Sequence, residues 1–126
     1  GTPVECCLLV SPLTDMAGMI SSMMQAANVT EAQLEAAQEI AVPGGPALSW
    51  RYLCYARSHT AAAISDQTHV LWASGDAMIP KSAVDAFVQK ASAVLTVYPG
   101  GEHWFHTDEQ VAFLRRWEAA ALPNHA

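Results

Sequence analysis

Two loops in this 126-residue chain carry residue types that could do chemistry together. The first is Leu71-Trp72-Ala73-Ser74-Gly75-Asp76, an apolar run that breaks into a tight turn ending in a carboxylate. The second is Tyr98-Pro99-Gly100-Gly101-Glu102-His103, where an apolar run meets a glycine turn ending in an imidazole. A buried carboxylate that accepts from imidazole Nδ1–H selects one tautomer and steadies the imidazolium form. The other ring nitrogen, Nε2, is then free to take a proton from a nucleophile. Asp76 and His103 are therefore the candidate acid and base. Alone, Asp76 reads more readily as a turn residue than as a catalytic one, and it is the pairing with His103 that points to catalysis.

Such a pair needs elements that deliver both residues to one place. The stretch from Val4 to Val10 (VECCLLV) is short, apolar and closed by Ser-Pro, which predicts a strand buried on both faces, as in parallel sheets. Residues 69–73 (HVLWA) and 93–98 (AVLTVY) predict two more strands. Helices are predicted between them. Thr14 or Asp15 caps a first helix on which Met16, Met19, Ile20, Met23 and Met24 recur at helical spacing; Asn28 ends it. Thr30 and Gln33 form a capping box for a weaker helix over residues 31–40, with Leu34, Ala37 and Ile40 inward and Glu31, Glu35 and Glu39 on a solvated face. After the Pro43-Gly44-Gly45-Pro46 loop, residues 49–57 predict a helix with Trp50, Leu53, Cys54 and Arg57 on one side.

Residues 61–67 read as a connector. Pro80 suits a first helical turn, followed by Val84, Phe87, Val88 and Ala91 at helical spacing. Thr107 with Gln110 caps a last helix, with Val111, Leu114 and Trp117 inward and Pro123 as its stop. Strands alternating with helices predict an α/β fold built on a three-stranded parallel sheet with flanking helices. Functional groups in such sheets gather at the carboxyl ends of strands, where Asp76 and His103 both lie.

From its second strand onward this order resembles the last structural steps of the α/β-hydrolase superfamily: a strand ending in Ser-Gly-Asp, a helix, a strand, Pro-Gly-x-x-His and a final helix. The resemblance is close over residues 69–122 and looser over residues 4–15, where LLVSPLTD is similar to the strand after the family's nucleophile helix. It implies a single partial domain, 1–126, the C-terminal half of that fold, with residues 15–60 as a helical cap-like region and 68–122 carrying acid and histidine. It further implies an esterase-like serine hydrolase in which Asp76 is the triad acid and His103 the general base. The family's Gly-x-Ser-x-Gly elbow does not occur here. Ser11 follows a strand but sits between Val10 and Pro12, and Ser74 falls two residues before the acid. The resemblance therefore places the nucleophile upstream of Gly1 and predicts that the chain alone is inactive. It also predicts that residues 4–10 lack a sheet neighbour, so that a second copy or a complementary N-terminal half pairs at that edge.

Composition narrows the alternatives. Apolar residues make up 52% and charged residues 14%, with a net charge of −6. No basic stripe suggests nucleic acid, and no apolar run approaches a membrane span. Cys6, Cys7 and Cys54 are odd in number, which predicts reduced, buried thiols in a cytoplasmic protein. No cofactor or metal is expected. His-x-x-His at His103 and His106 is a poor zinc pattern on a loop, and His59, His69 and His125 read as structural or exposed. Cys54, mid-helix, is a poor nucleophile. The methionine stripe reads as core before acyl pocket, while Trp104 and Phe105 suit either a pocket wall or packing. Two other readings compete with the hydrolase: a non-catalytic oligomerisation or binding module with a vestigial Asp–His pair, and a flavodoxin-like module, which the lack of a phosphate-cradling glycine turn disfavours.

Overall fold

A short apolar run becomes a strand only as far as a neighbouring ladder can satisfy its backbone. The computed structural model shows where that happens. It describes residues 4–62 and 65–122; Gly1, Pro123 and His125, on which expectations were placed, lie outside the described residues. In chain order the elements are β1 (Cys7–Val10), α1 (Met16–Ala26), α2 (Glu31–Ala37), β2 (Glu39–Ile40), β3 (Leu48–Ser49), α3 (Trp50–Ser58), β4 (Thr68–Ala73), α4 (Lys81–Ala91), β5 (Val94–Tyr98) and α5 (Asp108–Ala121). They divide into two compact units. One is the segment Asp15–Ala61; the other combines Gly1–Thr14 with Ala62–Ala126.

The second of these units holds a three-stranded parallel sheet in the order β1-β4-β5. Cys7 pairs with Thr68 and Val10 with Leu71; His69 pairs with Val94 and Ala73 with Tyr98. β4 is the central strand. Its Val70, Leu71, Trp72 and Ala73 are buried, as a run with ladders on both sides should be. β1 is shorter than the apolar run suggests and less buried than predicted. Its ladder begins where β4 begins, with Cys7 N–H donating to Gln67 C=O, so Val4 and Glu5 fall outside it. Residues 7–9 are half-buried and Val10 is exposed, because among the described residues β1 has a partner on one side only.

Of the two helices in this unit, α4 buries Val84 and Phe87. Pro80 sits at its N-cap, one residue earlier than predicted. At the other end Ser92 takes a left-handed conformation and the Ala93 N–H returns to Val88 C=O, so β5 starts at Val94. The predicted Thr107–Gln110 capping box opens α5, which buries Trp117. Phe113 of this helix meets the Tyr98 ring edge-on at 4.8 Å.

The unit Asp15–Ala61 has its own core of Ile20, Met24, Leu34, Leu48, Leu53 and Ala56, with Met16, Met23 and Trp50 packed around it. The methionine stripe is thus core-facing. Asp15 is the cap of α1, accepting from the Gly18 N–H at 2.9 Å. The Thr30–Gln33 capping box of α2 is present, but the helix stops three residues early. Gln38 takes φ +67°, and Glu39–Ile40 turns into an antiparallel hairpin with Leu48–Ser49. In α3 the buried residues are Leu53 and Ala56; Cys54, expected as a buried thiol, is exposed, and so is Arg57. Arg57 instead pairs with Glu31 across the surface. Cys6 and Cys7 are half-buried, and all three thiols are free. Among the described residues no helix is long and apolar enough to cross a membrane.

Candidate active site

Each strand of the parallel sheet hands one polar residue to the same end. After β4 the chain turns tightly, with Asp76 N–H donating to Ala73 C=O at 3.0 Å. The Asp76 carboxylate is then used completely. Oδ1 accepts from the backbone N–H of Met78 (2.8 Å) and Ile79 (2.9 Å), and Oδ2 lies 2.8 Å from His103 Nδ1. Trp72 Nε1 donates to Ile79 C=O at 3.0 Å and holds the far side of the turn. The Asp76 side chain is 0% exposed and that of His103 32%. A carboxylate out of water is stable only with such partners, and here it has three.

The histidine loop is fastened at several points. Ser74 N–H extends the ladder to Tyr98 C=O, and Ser74 Oγ accepts from Gly100 N–H at 2.6 Å. Gly100 has φ +79°, a conformation that favours glycine. Gly75 passes so close to the Gly101 carbonyl that a Cβ would lie 2.4 Å from that oxygen. At the other end Ser11, directly after β1, donates from Oγ to the His103 C=O at 2.8 Å. The two serines rejected as nucleophiles are therefore both engaged with the histidine loop.

With Nδ1–H donating to Asp76, the neutral ring keeps Nε2 as a lone-pair base. Beside it lies an open cleft of about 530 Å³ lined by Gly75, Ala77, Met78, Glu102, His103 and Trp104. The volume is in the range of small-molecule sites. Trp104 is 79% exposed and forms a wall, whereas Phe105 turns away to pack edge-on against Tyr98 at 5.5 Å. His106 serves the helix start: its N–H donates to Gln110 Oε1, and its Nδ1 lies 3.0 Å from Trp104 C=O. Among the described residues, none that lines the cleft carries a hydroxyl or a thiol. Among the described residues no cluster of three or more metal-binding side chains occurs.

The arrangement can accept a proton at Nε2 and stabilise the resulting imidazolium, but among the lining residues it has no group to activate. Asp76 and His103 were legible from type and position. Ser11 and Ser74 were not, because hydroxyl-to-backbone bonds across 92 and 26 residues leave no local pattern. No family model and no curated protein matches the chain.

Proposed function

We propose that Asp76 and His103 are the acid and base of a serine-type acyl hydrolase acting on carboxylic esters, with the nucleophile supplied by polypeptide beyond these residues. The observation that carries the reading is the 2.8 Å bond from His103 Nδ1 to a fully buried carboxylate at the adjacent strand end. In this scheme a serine Oγ attacks the acyl carbon while its proton passes to His103 Nε2. The imidazolium then gives that proton to the leaving alkoxide, and the acyl-serine is cleared by water that His103 deprotonates. Asp76 keeps the ring in the productive tautomer throughout. The side of β1 that has no strand partner among the described residues offers the backbone ladder on which the nucleophile-bearing segment, or a second copy of the chain, continues the sheet. The three free thiols suit a reducing, cytoplasmic setting.

The test is p-nitrophenyl acetate turnover by the product of the complete open reading frame around these residues. His103→Ala should reduce turnover by about 10⁴-fold or more, and turnover that survives the substitution refutes the assignment. A second reading is a binding or oligomerisation module with a vestigial pair; the described residues that line the cleft, Gly75, Ala77, Met78, Glu102, His103 and Trp104, offer His103 no serine to activate. Failure of a fluorophosphonate probe to label the complete product would decide for it.

A further inference from the structure

Ser11 sits at the end of β1 with φ +48°, a region that costs an L-residue energy and is entered when the surroundings demand it. It is buried. Its N–H continues the ladder to Leu71 C=O at 2.9 Å, so its backbone is tied to the strand that leads into the Asp76 turn. Its hydroxyl spans 92 positions of sequence to the carbonyl of His103 at 2.8 Å. The left-handed conformation accompanies delivery of a donor to the histidine's main chain.

We propose that Ser11 is a positioning residue for His103. The imidazole is oriented by two bonds of different kinds: Asp76 fixes the ring through Nδ1, and Ser11 fixes the backbone from which the ring projects. Ser74, which accepts from Gly100 N–H at the start of the loop, makes the complementary attachment. Between these two anchors His103 has little freedom to swing its Nδ1 away from Asp76 Oδ2. The inference deepens the acid–base reading of the pair and rests on it for its catalytic meaning, but its test reads the ring directly.

The experiment compares Ser11→Ala with Ser11→Gly. Both remove the hydroxyl. Alanine keeps the unfavourable φ, whereas glycine relieves it, so fold stability separates the two variants while loss of the anchor does not. The signature is the His103 ring ¹⁵N spectrum, which reports the tautomer, together with solvent exchange of its Nδ1 proton. Both variants should exchange that proton about five- to tenfold faster than the unsubstituted chain, the effect of one ordinary hydrogen bond, whatever their melting temperatures. If exchange is unchanged in both, or accelerates only in the less stable variant, Ser11 serves the fold alone and the proposal falls. Esterase activity does not enter the readout. A hydrolase reading that failed by turnover would leave this result standing, and the reverse also holds.

Discussion

Replacing Asp76 should separate what this carboxylate does for the fold from what it does for His103. In Asp76→Ala three bonds vanish at once. The Met78 and Ile79 amides lose their acceptor, and His103 Nδ1 loses its partner. Ile79 is buried and cannot recover its bond from solvent without moving. An orphaned buried donor costs about 1–3 kcal/mol, and Met78, being exposed, recovers part of its loss from water. The partly exposed imidazole does the same. The sum for alanine is roughly 2–5 kcal/mol, a large fraction of a small domain's stability.

Asp76→Asn behaves differently. Its Oδ1 still accepts from both amides, so the turn survives at a cost of about 1 kcal/mol. Its Nδ2 can only donate, which drives the neutral imidazole to the tautomer protonated at Nε2. Urea unfolding followed by tryptophan emission should rank wild type, Asn, Ala in that order; Trp72, whose indole bonds the same turn, is the local reporter. Ring ¹⁵N spectra should show the changed tautomer in the asparagine variant. If alanine costs less than about 1 kcal/mol, or asparagine leaves the tautomer as it was, the loop is not organised around this carboxylate and the reasoning fails.

Other outcomes follow from the same geometry. Gly75→Ala pushes a Cβ into the Gly101 carbonyl, and should cost about 1–3 kcal/mol in thermal unfolding while shifting the Gly100 and Gly101 amide resonances. Ser74→Ala removes the acceptor for Gly100 N–H; because that amide is exposed, the loss should be at or below about 1 kcal/mol, with faster exchange confined to the histidine loop. In the segment Asp15–Ala61, Leu53→Ala removes a fully buried side chain from the core and should cost about 2–5 kcal/mol, seen as a lower urea midpoint in Trp50 emission. Light scattering across a concentration series tests the side of β1 that has no partner among the described residues: association is expected, and a strictly monomeric profile refutes self-pairing there.

The elements that periodicity announces are those in which local signals and long-range packing agree. The HVLWA run is the buried central strand, and both Thr–Gln capping boxes start helices where their hydrogen-bond chemistry requires. The differences arise where a distant partner decides. Leu34, Ala37 and Ile40 keep helical spacing, yet Ile40 belongs to a hairpin because Leu48 offers it a ladder. Val4 is as apolar as Val10, but the ladder with β4 begins only at Cys7, which pairs with Thr68. At the site, Asp76 and His103 could be found because side-chain chemistry marks them. The Ser11 anchor could not, since neither its positive φ nor its bond to a carbonyl 92 residues away is written in the residues around it.

The parallel sheet also sets an order of events. β4 and β5 pair residues about 25 positions apart, whereas β1 must find partners roughly 60 positions downstream, with the Asp15–Ala61 unit in the intervening chain. Closing the longer loop is entropically later and slower. On that schedule the Asp76–His103 bond can form within a β4-α4-β5 nucleus, and Ser11 arrives with the last strand to dock. The histidine is thus oriented early and immobilised late. A chain caught before β1 docks would hold its acid–base pair on a loop still free to move.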